Sequence, residues 1–306
     1  MAPIKFFIVD VFAANKYGGN QLAVFVDLDN QVSDRQMQQI AQEINFAETT
    51  FIKSNRNNQQ FWVRIFTPEH EVPFAGHPSI GTSYIIAKFL LPNVPDSLIL
   101  ELAHGNIDIT ISQPAALDES LLFMRQTQPE FRDHFTHQEI ASELGINPTF
   151  LEESLPVQEI STGLPYIIIP LKNLNAMDEF TLAYDSFRDF LIKRSKYRTN
   201  SITGHSTSLF FFTSETYEPG NAYNVRMRLL ENNCLSEDAA TGSANGCFLA
   251  YLLKHHGNAV EATVEQGFQI NRKSYIHLRG SQQAGNYELN VGGRTQLISE
   301  GIWHLA

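Results

Sequence analysis

The chain has 306 residues, of which 43% are hydrophobic and 18% charged, a globular balance that excludes a mainly disordered protein. Basic residues number 22 and acidic ones 33, for a net charge of -11, which excludes general binding to nucleic-acid backbones because that needs clustered Lys and Arg. The two cysteines, Cys234 and Cys247, are too few for a disulfide framework and form no CxxC pair to hold zinc, so a reducing compartment is expected.

The length predicts two domains. The apolar start FFIVDVFAAN is interrupted by Asp10 and no long apolar stretch comes after it, so it reads as a first strand. No segment reads as a membrane span. The mature protein is expected to begin near Met1 and to stay in the cytoplasm.

Residues 4–12 and 21–27 are predicted strands around the turn NKYGGN. Ser33 and Gln36 have capping-box spacing, and Met37, Ile40, Ala41 and Ile44 then mark the buried face of a helix. ETTFI (48–52) and FWVRIFT (61–67) read as strands, PEHEVPFAGHP as a turn-rich loop, and 79–90 as an apolar helix. SLILEL and IDITIS are strands, and Gln113-Pro114 opens a linker. In the second half, a strand near LLFMRQ precedes a capped helix from Thr136 to Gly145. YIIIPL, LFFFTSE and NVRMRLL are strands, with a helix at 185–193. The small-residue loop EDAATGSANG leads into an apolar helix at 244–255. Strands around TVEQGF and SYIHLR and a YELNV-GG-RTQLI hairpin complete the chain.

The two halves repeat one order: a Val-Arg strand, a Gly-rich loop, an apolar helix, and an acidic strand that turns at Gly. Val63 and Gly105 are 42 residues apart, as are Val225 and Gly267. Two similar domains are therefore predicted, each a sheet wrapped around one wholly apolar helix.

Each Gly-rich loop precedes a buried helix, whose start offers free N–H groups and the positive end of the dipole. Two such ends could hold a carboxylate without Lys or Arg, or they are tight turns only. Neither loop has a Walker ending and no G-x-G-x-x-G comes after the first strand, so nucleotide binding is disfavoured. His77 can donate to a carboxylate or shuttle a proton, or can be a structural histidine. Asp238, its near-equivalent in the repeat, can be an acid/base or a helix-start carboxylate. Glu48 stands between Phe46 and Phe51. A carboxylate among aromatics has a raised pKa suited to proton transfer, whereas a solvated edge glutamate does not. Asn20 is a turn residue or a site contact. His134, His137, His255 and His256 have no metal-site spacing, and Cys247 reads as inert packing.

The segments VDVFAANKYGGNQLAVF (9–25), IAQEINFAETTFI (40–52), RIFTPEHEVPFAGHPSIGT (64–82), EDAATGSANG (237–246) and VEQG (264–267) occur in order. In them the chain resembles the phenazine biosynthesis protein PhzF family, within the diaminopimelate epimerase-like fold. The resemblance implies an α+β protein of duplicated domains, here 1–116 plus 296–306 and 117–295, with the active site in the cleft between them. It implies Glu48 as the general acid/base, with His77 and Asp238 lining the same cleft. Gly76, Gly242 and Ser243 look like the carboxylate cradle, and Asn20 matches a site asparagine. No metal or organic cofactor is implied, and a homodimer is.

Racemases of this fold use a thiol at each Gly-loop apex. Those places look like Ala75 and either Ala239 or Ala240, so a two-thiol mechanism is not expected. The chain departs from the family at Ala239, where many relatives have Pro, and at RLLENNCLSED, where an aromatic-Ala-Pro segment is usual. A substrate other than the phenazine precursor would fit that departure. The expected activity is a cofactor-independent isomerase moving a proton on a small carboxylate. A lyase or racemase on a related hydroxy or amino acid, or a silent binding protein, are the alternatives.

Overall fold

The computed structural model of the chain describes residues 3–57, 59–199, 206–231 and 233–305. By its internal contacts the chain divides into two units, Met1–Arg125 with Gly292–Ala306, and Gln126–Val291. These crossings differ from the expected ones at 116/117 and 295/296. Pro114–Glu119 is a 3-10 turn rather than the end of a domain, and the strand after it still pairs within the first unit. The return crossing falls inside a strand.

In the first unit the strands are β1 (Ile4–Val11), β2 (Asn20–Val26), β3 (Glu48–Asn55), β4 (Gln60–Phe66), β5 (Glu71–Val72), β6 (Ser97–Leu102), β7 (Gly105–Ile111) and β8 (Leu122–Arg125). In the second they are β9 (Glu130–Phe135), β10 (Val157–Ser161), β11 (Pro165–Pro170), β12 (Ser208–Thr213), β13 (Tyr223–Glu231), β14 (Cys234–Asp238), β15 (Ala259–Gln266) and β16 (Ser274–Gln283). The last two are β17 (Asn286–Gly293) across the boundary and β18 (Thr295–Trp303) in the first unit.

The duplication is visible strand by strand. In the first unit β18–β1 and β1–β2 are antiparallel, β2–β3 parallel, β3–β4 and β4–β5 antiparallel, β4–β6 parallel and β6–β7 antiparallel. The second unit repeats those senses in β9–β10, β10–β11, β11–β12, β12–β13, β13–β14, β13–β15 and β15–β16.

Helix α1 (Asp34–Ile44) starts at a complete Ser33–Gln36 capping box and ends at a left-handed Asn45. Its Met37, Ile40 and Ala41 pack on Ala23, Phe25, Phe51 and Phe66, covering one face of the first sheet. The opposite face receives α2 (Gly76–Ile85), all ten residues of which are buried, and then a π-helical turn at Ile86–Leu90. Close packing there requires a small residue: a Cβ on Gly81 would stand 2.7 Å from both the Leu22 and the Val11 side chains. Helix α2 begins earlier than position 79 because Pro78 sits in the first turn, where its missing N–H costs nothing.

The second unit carries α3 (His137–Leu144, with the Thr136–Glu139 box and a left-handed Gly145), α4 (Leu174–Glu179) and α5 (Tyr184–Lys193). Side chains of all three pack on β10–β12. Its central helix α6 (Gly242–His255) is buried from Gly242 to Leu253, as an apolar helix wrapped by a sheet should be. The loop expected at 237–246 is much shorter. Glu237 and Asp238 end β14, and Gly242 already starts α6. Of the departing segment RLLENNCLSED, the described residues form the paired strands β13 and β14, and Asn232 lies outside the described residues.

Candidate active site

The first group of site residues gathers on the α2 face of the first sheet. Leu22 lies opposite Glu48 in the β2–β3 ladder and contacts the Gly81 position of α2. Thr50, two residues after Glu48, meets Thr82 of α2 at 2.8 Å between hydroxyls. Alternation along the strands therefore puts Asn20 and Glu48 on that face as well. Phe51 points the other way, stacking on Phe25 (centroids 5.2 Å) and meeting Phe66 edge-on. Phe46 also packs into the α1 cluster. The expected aromatic setting of Glu48 is thus corrected: its neighbour is His77, whose Nε2 lies 3.4 Å from Glu48 Oε2.

Asn20 is buried and comes directly after Gly19. Gly19 has φ +65°, and a Cβ on it would stand 2.2 Å from the Val11 carbonyl oxygen, so the turn into β2 demands glycine.

His77 is the second residue of α2 and 5% exposed. Burial pushes its pKa down to about 3, against a hydrogen bond with the Gln21 backbone that favours the protonated ring. The helix N-terminus also disfavours a cation there. Nε2 makes no hydrogen bond among the described residues, so the Gln21 bond falls to Nδ1. A bond that stabilises the proton is a donation to the carbonyl. The neutral tautomer then carries its proton on Nδ1 and presents the Nε2 lone pair toward Glu48. Of the two roles open to His77, a neutral ring in this orientation favours accepting a proton over donating to a ligand carboxylate.

The second group lies at the start of α6. Helix starts pair Ala75 with Thr241, Gly76 with Gly242, and His77 with Ser243. Asp238 is therefore not the counterpart of His77, and it is not a helix-start carboxylate. Ala75 comes 12 residues after Val63 and Thr241 comes 16 after Val225, so the common spacing of 42 hides a longer second loop. Thr241 donates its hydroxyl to Asp238 Oδ2 at 2.5 Å. Ser243 Oγ meets the buried Tyr166 hydroxyl at 2.7 Å.

Neither Ala75 nor Thr241 caps its helix with a side chain, and neither helix has an acidic residue in its first turn. In both, the fourth residue bonds back to the cap carbonyl: Ser79 Oγ to Ala75 O (2.8 Å) and Asn245 Nδ2 to Thr241 O (3.0 Å). Each of the two helices therefore starts without a side-chain cap on its first-turn N–H groups.

Cys247 is buried, contacts Thr162 and the Leu164 carbonyl, and has its thiol pushed up to about 12 by burial. His137 Nε2 bonds the Glu152 and Leu155 carbonyls, a structural role. Among the described residues no group of three or more His, Cys, Asp or Glu side chains could hold a metal ion, and no helix is long and apolar enough to cross a membrane.

The model of the phenazine biosynthesis-like proteins, PhzC-PhzF, matches residues 9–301. The chain belongs to this family. It is 30% identical over 290 residues, 90% of each chain, to the trans-2,3-dihydro-3-hydroxyanthranilate isomerase of Pseudomonas chlororaphis. A solved PhzF-family phenazine biosynthesis protein of Bacillus anthracis superimposes with a TM-score of 0.85 at 26% identity, covering 100% of both chains. A hydroxyproline epimerase from Agrobacterium vitis shares the fold, with a TM-score of 0.58 at 11% identity over 98% of this chain and 92% of its own. The duplicated epimerase-like architecture is therefore that of the family, and the chain is a PhzF-type isomerase.

Sequence reasoning does not mark Thr241, Asn245, Gln266 or Tyr166. All four are buried polar side chains: Thr241 and Gln266 contact Asp238, Tyr166 contacts Ser243, and Asn245 bonds Thr241 and Gln266. Gln266 stands inside the family segment VEQG, and its place there, at the buried end of β15, is the available signal.

Proposed function

We propose that this PhzF-family protein is a cofactor-independent isomerase of a small carboxylate metabolite. Glu48 removes a proton from carbon and returns it at a neighbouring position, and Asp238 is the second proton-handling group. The observation that carries this reading is the approach of Glu48 Oε2 to the neutral His77 Nε2 on the buried α2 face. After abstraction Glu48 is a carboxylic acid, and its O–H then has a lone pair to meet at Nε2. His77 stabilises that form without adding charge. An uncapped helix start such as that of α2 or of α6 supplies N–H groups and the positive dipole end to the substrate carboxylate and opposes the negative charge that develops on carbon. Asn20, Gly76, Gly242 and Ser243 serve as substrate contacts, the three at the helix starts through close backbone approach.

The test is proton exchange in D2O. The first probe is trans-2,3-dihydro-3-hydroxyanthranilate, the substrate in the P. chlororaphis relative's name. Small hydroxy and amino acids come next. Deuterium on carbon in an isomerised product, lost in Glu48→Gln, supports the reading. Elimination of water would make the protein a lyase, and no exchange with any probe would make it a binding protein.

A further inference from the structure

We propose that Gln266 is a positioning residue for Asp238, acting through the Thr241 hydroxyl. This rests on the reading of Asp238 as a proton-handling group. Gln266 ends β15 and is fully buried. Its Oε1 accepts from the Thr241 backbone N–H (3.2 Å) and from Asn245 Nδ2 (3.0 Å). Two N–H donors on one oxygen fix the amide in a single orientation. Nε2 must then face the two remaining partners, the Asp238 carbonyl (3.0 Å) and Thr241 Oγ1 (3.0 Å).

The consequence lies in the hydroxyl. A threonine O–H has one proton. Because Thr241 Oγ1 already accepts from Gln266, its own proton is free to go elsewhere, and the Asp238 carboxylate at 2.5 Å takes it. The amide thus sets the direction of the whole chain, from Gln266 N–H to Thr241 O–H to Asp238 Oδ2. It also holds the Asp238 backbone. Two neighbouring contacts brace the same turn: Ser274 Oγ donates to the Ala239 carbonyl at 2.8 Å, and Gly267, at φ +74°, passes so near that a Cβ would stand 2.6 Å from that oxygen. At the corresponding place in the first unit, β6 ends on the buried apolar Leu102 where β15 ends on Gln266. One copy of the duplicated fold therefore carries the amide at this strand end and the other does not, and the carboxylate beside the first helix start, Glu48, meets a histidine instead.

The test compares Gln266→Met, Thr241→Val, Thr241→Ser and the Gln266→Met/Thr241→Val double variant. With a substrate that the wild type turns over, kcat should fall about 10- to 100-fold in each of the first two variants, with little change in KM, because a misaimed group mainly costs the chemical step. Thr241→Ser should keep wild-type kcat. The double variant should be no slower than the slower single, because both remove the same proton's direction. Multiplying effects would overturn the proposal. The infrared stretch of the Asp238 carboxylate, isolated with labelled aspartate and an Asp238→Asn reference, needs no substrate. It should move alike in Gln266→Met and Thr241→Val and stay in place in Thr241→Ser. An unmoved band in Gln266→Met overturns the proposal whichever substrate is turned over. A wild type that exchanges no probe, with the band moving as stated, overturns the isomerase reading and leaves the hydrogen-bond chain standing.

Discussion

His77 Nε2 stands 3.4 Å from Glu48 Oε2, yet the two do not form an ion pair at neutral pH, because burial holds the imidazole neutral. That neutrality has a cost in acid. An unfolded imidazole titrates near its ordinary 6.5 and the folded one near 3. Between those values the unfolded chain binds more protons, so stability falls as pH drops from about 6.5 toward 3. Above that window this group contributes no slope. His255, pushed down to about 4 by burial first and by Lys254 next, acts in the same direction. Urea unfolding from pH 7 to 4 should show His77→Gln losing about one proton's worth of slope, about 1.4 kcal/mol per pH unit. An unchanged slope would assign the acid sensitivity to other groups.

Glu48→Gln should fold normally, since the amide can donate to His77 Nε2 where the acid would. Its turnover should drop by about 10²- to 10⁴-fold, the usual worth of one general acid/base. Circular dichroism beside the exchange rate separates the two effects, and full activity in the variant would remove Glu48 from its proposed role.

Cys247→Ala should leave turnover unchanged, because the thiol is buried, raised to about 12, and bonded to Thr162 and the Leu164 carbonyl. The wild-type thiol should also resist iodoacetamide in the folded protein. Loss of activity in the alanine variant at undiminished stability would revive a thiol mechanism.

Lys53 and Asp27 form a buried ion pair, with side chains 4% and 0% exposed. Asp27 also accepts from the Gln31 and Val32 N–H groups, and Lys53 donates to the Val32 carbonyl. Lys53→Met strands the carboxylate and should cost about 3–5 kcal/mol in chemical denaturation. A loss below about 1 kcal/mol would mean that the backbone donors suffice by themselves.

Gly81→Ala tests how tightly α2 lies on the first sheet. Its methyl would press on Leu22 and Val11 at 2.7 Å. Overpacking of this kind costs about 1–3 kcal/mol. Thermal unfolding at unchanged or higher Tm would show that α2 can shift away from β1 and β2.

Local chemistry makes much of the fold legible. Ser33–Gln36 and Thr136–Glu139 announce their helices because a capping box is satisfied within four residues. The two apolar helices and the 42-residue spacing announce a duplication because burial needs only composition and order. The boundaries are less legible. Gln113-Pro114 has turn chemistry, but the unit to which the next strand belongs is set by the pairing of β8 with β7.

The sequence by itself determined the family, the duplicated architecture and the residue types available for proton transfer. Short motifs in order and local patterning carry that information along the chain. Tertiary structure decided what those residues are next to. Glu48 and Phe51 are three positions apart, yet strand alternation turns one toward α2 and the other toward α1, so a histidine 29 residues away replaces the expected aromatic setting. Asp238 is paired in sequence with His77 but in space with Thr241 and Gln266, because four extra residues in the second loop move the helix start. Hydrogen-bond direction and burial depend on groups brought together from distant strands, and no spacing along the chain encodes them.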